Sequence, residues 1–391
     1  MGFVDMINVL YVSGSRADYG PARRVLQAIN EHPDLELKIL VTGMHLDPLH
    51  GETLQEIVSD GFKIAELVNG RVEGDSVTEM AASLGTYLTG MSYAISRLCP
   101  DIVLVLGDRG EQLAGCIAGA VQNTVVVHLC GGSISGSIDD SIRHAITKFA
   151  HYHLPAFQEH ADRIIQMGED PKKVHVVGLP GSDIYSDVVL SRKDICSRFH
   201  LPYELPYVLV LQHSVTHSYA DVSMQINETL EAVSRVKYPV LLANPNDDAG
   251  GRIILEKMHE FAECYDNLSV LPPLGSRELF ASVMAHSGVL VGNSSSGIVE
   301  AMSLELPVVN VGDRQQGREH LACLINVGYD RTRICDAIEK ALGDDTYRSK
   351  LMEFTANMPS FDTPSVVVQH LLNVDFGVSV LPKLFVDLPT T

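Results

Sequence analysis

The chain opens on an apolar run, Val9–Ser13, then a glycine-bearing charged loop, then an amphipathic stretch, Pro21–Asn30. The same alternation recurs. Apolar runs at Leu37–Thr42, Ile102–Leu106, Thr124–Leu129 and His151–Leu154 are interleaved with helix-period stretches at Val77–Leu98, Glu111–Gln122 and Asp139–Phe149. The runs are rich in Val, Ile and Leu without strict polar alternation, which predicts strands buried on both faces. Strand–helix alternation predicts a parallel sheet covered by helices. The pattern restarts after Pro206. Strands are predicted at Tyr207–Gln212, Val240–Leu242, Leu268–Leu271, Val289–Val291 and Val308–Val311, and helices at Val222–Arg235, Gly251–Glu263, Arg277–Ala285, Gly297–Ser303 and Thr332–Leu342. Gly178–Gly181 and Leu201–Pro206 read as boundary segments. The expected class is α/β: two Rossmann-like doubly wound domains facing a cleft, spanning 1–185 and 200–360, with a tail at 361–391 that packs back on the first.

Composition narrows the partners. The 391 residues are 46% hydrophobic, enough for two cores at roughly 100–200 residues per domain. With 29 Lys and Arg against 49 Asp and Glu, the net charge of −20 argues against nucleic acid as a partner. It does not exclude a small phosphorylated ligand, which needs only a few local cations. No apolar run approaches the ~20 residues needed to span a bilayer, so no membrane partner is expected. The N-terminus has no basic region, and Met6 stands where a myristoylation pattern on Gly2 wants Ser or Thr. Seven cysteines (99, 116, 130, 196, 264, 323 and 335) with no CxxC indicate neither a disulfide framework nor a zinc ribbon. A reducing cytoplasm is the simplest compartment.

Ligands of open α/β sheets bind beyond the carboxyl ends of the strands, so polar residues just after apolar runs carry the candidate chemistry. Five clusters qualify. In GSRADYG (14–20), Gly14 permits a tight turn and Arg16 is placed to meet a phosphate, the alternative being an ordinary strand-to-helix loop. It is not GxGxxG, so no dinucleotide cofactor is indicated. In VLVLGDRGE (103–111), Asp108, Arg109 and Glu111 stand at a strand end. Asp108 serves there either as a helix cap or as an acid/base group. HLCGGSISGSIDDSIRHAITK (128–148) joins a glycine loop to Asp139, Asp140, Arg143 and His144, whose i,i+4 spacings also fit surface ion pairs. His213 follows the first strand of the second half and is a candidate acid or phosphate contact. GNSSSGIVEA (292–301) offers hydroxyls and free N–H groups at a helix start, with Glu300 suited to a ribose and Arg314 of GDRQQGR suited to a diphosphate. His151 and His153 have no third ligand spaced for zinc, so no metal is expected.

Taken in order, GSRADYG, VTGMHL (41–46), LGDRGE, GGSISGSIDDSIRHAITK, LQHSVT, PNDDAGG (245–251), GNSSSGIVEA and DRQQGR resemble the hydrolysing UDP-N-acetylglucosamine 2-epimerases over about residues 7–345. That family supplies N-acetylmannosamine for sialic acid synthesis. The resemblance implies two Rossmann-like domains in the arrangement of many glycosyltransferases (GT-B-like), UDP-sugar bound between them, no cofactor, and a homodimer or homotetramer. It implies a nucleotide-sugar site made by Arg16, Arg109, His213, Asn246, Ser294, Ser295, Glu300 and Arg314, and catalytic acids at Asp108 and Asp139. The implied chemistry removes the sugar C2 proton, expels UDP to leave 2-acetamidoglucal, and adds water with a proton returning to the other face of C2.

One stretch departs from the family. HLCGGSISG stands where well-known members read roughly HIEGGEVSG, so Cys130 and Ser133 replace two glutamates, the first regarded as catalytic. The expectation is that Cys130 works with a tuned pKa, that Glu111 or Asp140 takes over, or that the reaction or sugar differs. The alternatives to hydrolytic epimerisation of UDP-GlcNAc are a related UDP-2,4-diacetamido sugar, a glycosyltransferase of the same architecture, and a UDP-sugar-binding protein without catalysis. The family's glycine-rich segment near the C-terminus is also absent after Met358.

Overall fold

A computed structural model describes residues 6–48, 53–319, 324–357, 359, 361–376, 381 and 383–387. Cys323, Gly2 and parts of the predicted tail lie outside the described residues. The first half holds β1 (Ile7–Ser13), α1 (Arg16–Glu31), β2 (Leu35–Thr42), α2 (Leu54–Ser59), β3 (Ile64–Val68), α3 (Val77–Leu98), β4 (Ile102–Leu106), α4 (Gly110–Val121), β5 (Val125–Leu129), α5 (Ile138–Phe149), β6 (Tyr152–Leu154), α6 (Gln158–Gln166) and α7 (Arg192–Arg198). The second holds β7 (Val208–Leu211), α8 (Val222–Val233), β8 (Val240–Leu242), α9 (Gly251–Cys264), β9 (Leu268–Val270), α10 (Arg277–His286), β10 (Val289–Gly292), α11 (Glu300–Ser303), β11 (Val308–Val311), β12 (Ile325–Val327), α12 (Arg331–Gly343), α13 (Asp345–Ala356) and α14 (Thr363–Leu372).

The strands form two parallel six-stranded sheets, ordered β3-β2-β1-β4-β5-β6 and β12-β11-β10-β7-β8-β9. In each sheet the strand order reverses beside the first strand, which opens a crevice at the carboxyl ends. The central strands are buried throughout, as the unbroken apolar runs predicted. The edge strands β3 and β12 are half-exposed and carry no such run, which is why periodicity missed them. The first sheet is covered on one face by α1 and α14, with Val367, Val368 and Leu371 of α14 in its core. Its other face is covered by α3, α4 and α5.

Two sequence expectations need correction. Helix α1 starts at Arg16, ahead of Pro21, because Ser15 and Asp18 form a reciprocal capping box. The helix expected over Gly297–Ser303 is a 3-10 turn, Ser295–Gly297, followed by the four-residue α11. Any anion held there meets hydroxyls and backbone N–H groups, without a helix macrodipole behind them.

Candidate active site

The loop after β1 is built around one buried carboxylate. Asp18 accepts hydrogen bonds from Ser13 Oγ at 2.6 Å, Gly14 N at 3.1 Å and Ser15 N at 2.8 Å. Burial raises its pKa to about 7, against the lowering effect of these bonds. The loop thus held projects Arg16 between the sheets. Its Nε lies 3.4 Å from Glu56 Oε2, and its Nε and Nη2 have no hydrogen-bond partner among the described residues. Burial lowers the pKa of Arg16 despite Glu56. Unpaired guanidinium donors in a cleft are an anion site in waiting.

On the opposite wall, His213 follows β7. Its Nδ1 accepts from the Asn246 backbone N–H at 3.0 Å, which leaves the proton on Nε2. Nε2 lies 3.2 Å from Ser294 Oγ and lines the cleft. Burial, reinforced by Arg314 and Arg109, lowers the His213 pKa to about 3, so the ring is a neutral donor. Ser294 and Ser295 line the same wall, and Glu300 is buried there with its pKa raised by burial. Asn246 also lines the cleft, its amide donating to Asp248 at 2.5 Å.

The chemistry-bearing loops meet where the two halves touch. Gly136 N donates to Arg314 O at 2.9 Å, and a Cβ at Gly136 would stand 2.2 Å from Asp313 O, so only glycine permits this approach. Arg314 spans the gap, donating to Asn293 O at 3.2 Å and to Asp139 at 2.9 Å. Arg109 spans it too, donating to Asp248 at 3.1 Å. Together these contacts enclose a cavity of about 340 Å³ lined from both halves.

The two aspartates sit in opposed environments. Asp108 is half-buried, and this desolvation alone would raise its pKa. Arg143, bonded to it at 2.5 Å, and Arg318, at 3.5 Å, override this and bring it to about 2. Asp139 is raised by burial and by Asp108 and Asp248, with Arg314 opposing. One carboxyl is therefore pushed down and the other up, the pattern that separates acid from base in one site.

Several residues read as ligand contacts serve otherwise. Arg143 is 1% exposed and does not line the cavity. It bonds Asp108, Ser133 O at 2.8 Å, Ser135 Oγ and Asp140, so its donors are engaged around Asp108 and do not face the cavity. Of the alternative surface ion pairs, Asp139–Arg143 does not form among the described residues, because Asp139 faces Arg314 and Asp140 takes Arg143. His144 stays on its helix, 3.6 Å from Asp140. Glu111 is packed beneath the Gly14 and Gly43 turns, 3.7 Å from Arg109, away from the cavity. Neither Glu111 nor Asp140, which accepts from Ser135 N, is free to replace a catalytic carboxylate. Cys130 does line the cavity, at φ 60°, but burial and the nearby Asp108 push its thiol up to about 12. A neutral thiol donates a proton and does not accept one, and this upward direction is opposite to the one a thiolate would need.

Sequence reasoning missed Arg318, Glu56 and Arg277, all lining the cavity. Arg318 is half-buried, and desolvation together with the nearby Arg143 and Arg314 lowers its pKa to about 10. Its Nε has no hydrogen-bond partner among the described residues. The signal available was a second Arg in DRQQGR, after a turn glycine, Gly317, at φ 84°.

This arrangement predicts a proton linkage. A diphosphate that recruits Arg314 takes away the main cation facing Asp139 and raises its pKa further. Diphosphate binding is therefore expected to take up protons over the pH range in which Asp139 titrates, seen by calorimetry in buffers of different ionisation enthalpy. Asp139→Asn is expected to reduce that uptake, and uptake unchanged in the variant would remove Asp139 from this role.

Comparison with known proteins agrees. A family model described as UDP-N-acetylglucosamine 2-epimerase matches residues 27–361. A Legionella pneumophila protein named UDP-N,N'-diacetylbacillosamine 2-epimerase (hydrolyzing) is 37% identical over 335 residues, covering 85% of this chain and 88% of its own. A Neisseria meningitidis UDP-N-acetylglucosamine 2-epimerase is 34% identical over 349 residues, covering 88% and 91%. The crystal structure of a UDP-GlcNAc 2-epimerase from Neisseria meningitidis bound to UDP-GlcNAc superposes with a TM-score of 0.79 at 17% identity, covering 94% of this chain and 100% of that one. Ordered motifs, two doubly wound sheets and a shared polar cleft thus converge with these likenesses: the chain belongs to the UDP-N-acetylglucosamine 2-epimerase family.

Proposed function

We propose that this enzyme is a hydrolysing 2-epimerase that converts UDP-N-acetylglucosamine and water to N-acetylmannosamine and UDP. The observation that carries the reading is the meeting, in one cavity between the two sheets, of anion donors with two carboxyls whose pKa values are pushed apart. Arg16, His213 Nε2, Ser294, Ser295 and Arg314 take the diphosphate, and Arg318 moves from Asp108 towards it. Glu300 takes the ribose. Asp108, ionised, accepts the C2 proton. The C2–H electron pair forms the C1–C2 double bond, and the C1–O pair leaves with UDP, whose charge the arginines hold. Water then adds its oxygen to C1 of the resulting 2-acetamidoglucal. Asp139, protonated, returns a proton to the other face of C2 and is reprotonated by the proton that the water loses, while Asp108 gives the proton it took from C2 to the departing UDP. Cys130 lines the sugar side as a neutral thiol. The reading includes domain limits at 1–185 and 200–360, a tail at 361–391, a cytoplasmic homo-oligomer, and a place in sialic-acid-type sugar synthesis.

A second substrate is favoured by the Legionella relative, whose name specifies a diacetamido sugar. Incubation with UDP-N-acetylglucosamine in D2O is expected to release UDP and place deuterium at C2 of N-acetylmannosamine. Turnover of only a UDP-2,4-diacetamido-6-deoxy sugar would select the second substrate. Sugar transfer to an acceptor with C2–H intact, or UDP binding with no turnover of either sugar, would defeat the epimerase reading.

A further inference from the structure

The second half of the proposed reaction adds water across C1 and C2. While Asp139 gives its proton to C2, the attacking water loses one of its own. Asp108 and Asp139 each have a transfer of their own at C2. Asp139 also keeps Oδ2 on Arg314 at 2.9 Å, which leaves one oxygen for C2. Cys130 is a neutral thiol, and Glu111 and Asp140 are engaged elsewhere. The proton of the water therefore calls for an acceptor on another side chain of the cavity.

His160 has the geometry of that acceptor. It stands in the first turn of α6, is 5% exposed, and lines the cavity. Four histidines, His128, His144, His153 and His160, have a buried Nδ1 with no hydrogen-bond partner among the described residues, and of these His160 alone lines the cavity. Buried polar groups are almost always paired, so an unpaired one in a binding cavity marks a contact for something bound. The ring is held from the other half of the molecule. Its Nε2 lies 2.9 Å from Oε2 of Glu319, the residue after Arg318. Oε1 of Glu319 accepts from both terminal nitrogens of Arg163 at 3.2 Å. Desolvation would raise the Glu319 pKa, but His160 and Arg163 bring it to about 2, so the carboxylate is ionised. An ionised carboxylate only accepts, so Nε2 carries the proton and Nδ1 of the neutral ring keeps its lone pair. Arg163 also donates to Gly132 O, and a Cβ at Gly132 would stand 2.4 Å from His160 O. The loop bearing Cys130 is thereby pressed against the turn bearing His160.

We infer that His160, oriented by Glu319, is the catalytic base that takes the proton of the water attacking C1. The inference rests on the epimerase reading. The water oxygen gives a lone pair to C1. The pair of the C1–C2 double bond takes the proton of Asp139 to make the new C2–H bond. The O–H pair of the water stays on oxygen, and its proton goes to Nδ1 of His160. The imidazolium so formed is offset by the Glu319 carboxylate, which also fixes the tautomer of the base. It then returns the proton to Asp139 and closes the cycle. The step involves only C1 and C2, so it is the same for either proposed sugar.

Half-reaction kinetics of His160→Gln test this role, with whichever UDP-sugar the wild type turns over. In a single turnover, UDP release is expected to stay within about threefold of wild type while hydration of the glycal falls about a hundredfold, so that the glycal accumulates. Glycal supplied together with UDP is expected to be hydrated more slowly by the same factor. Glu319→Gln, which no longer fixes the tautomer, is expected to show the same split at about tenfold. Nitrogen NMR of the unaltered, histidine-labelled protein gives a readout free of folding effects, with Nδ1 of His160 expected to be bare at neutral pH. Equal losses in the two half-reactions, no glycal from either variant, or an Nδ1 that carries a proton would each overturn the inference. A wild type that releases no UDP from either sugar, or releases it with no deuterium entering C2 in D2O, defeats the epimerase reading and the inference with it, so the two failures are told apart.

Discussion

Asp108→Asn is expected to lower kcat by roughly 10³-fold, within the range lost when a positioned acid/base group is removed. The reason is its environment. Arg143 and Arg318 hold Asp108 at about 2, so it is ionised at any working pH and ready to take a proton without first losing one. An amide keeps the shape and most of the hydrogen bonding but has no basicity. UDP affinity is expected to stay equal or rise, because Arg318, 3.5 Å from Asp108, is released towards the diphosphate. Steady-state kinetics together with UDP calorimetry separate the two effects. A variant within tenfold of wild-type kcat would take the proton-abstracting role from Asp108.

Arg143→Ala is expected to cost stability and to alter the pH dependence of what activity remains. The guanidinium is 1% exposed and touches Asp108, Asp140, Ser133 O and Ser135 Oγ. Removing one partner of a buried ion pair typically costs about 3–5 kcal/mol. Chemical denaturation should show a loss of that order. The kinetic signature is more specific. With its larger opposing cation gone, burial raises the Asp108 pKa, so part of the enzyme carries a proton there as pH falls. An acidic limb should therefore appear in kcat/KM where the wild type has none from Asp108, and activity should fall as pH drops through the new value. The linkage runs the same way for stability. The wild-type Asp108 is depressed below its unfolded value near 3.9, so its contribution is present above about pH 4 and disappears as pH falls through about 2. A variant with unchanged stability and an unchanged pH profile would mean that Arg143 does not govern Asp108.

Much of the architecture was legible because strands buried on both faces must be continuously apolar. Ile102–Leu106, Val240–Leu242 and Val308–Val311 were read with their observed limits for that reason. Edge strands β3 and β12 were not, since one side of each faces solvent and its composition is mixed. The site divided along a similar line. Arg16, Asp108, His213, Ser294 and Arg314 follow apolar runs and reach the cavity, as the position rule for α/β sheets requires. Arg143, His144 and Glu111 are of the same residue types in the same motifs, yet none lines the cavity.

The sequence by itself determined the fold class, the two sheets and the family, because each rests on local signals: apolar runs, turn glycines and ordered motifs. Tertiary structure alone decided which member of a charged cluster meets a ligand and which holds its neighbour. Asp139 and Asp140 are adjacent in the chain, yet one faces Arg314 across the cleft and the other supports Arg143. The upward shift of the Asp139 pKa follows from burial and from charges contributed by distant segments, neither of which is encoded in spacing. The same holds for Cys130. The sequence shows a thiol at a catalytic position, and only the fold, by desolvating it beside Asp108, moves its pKa further up, away from the thiolate.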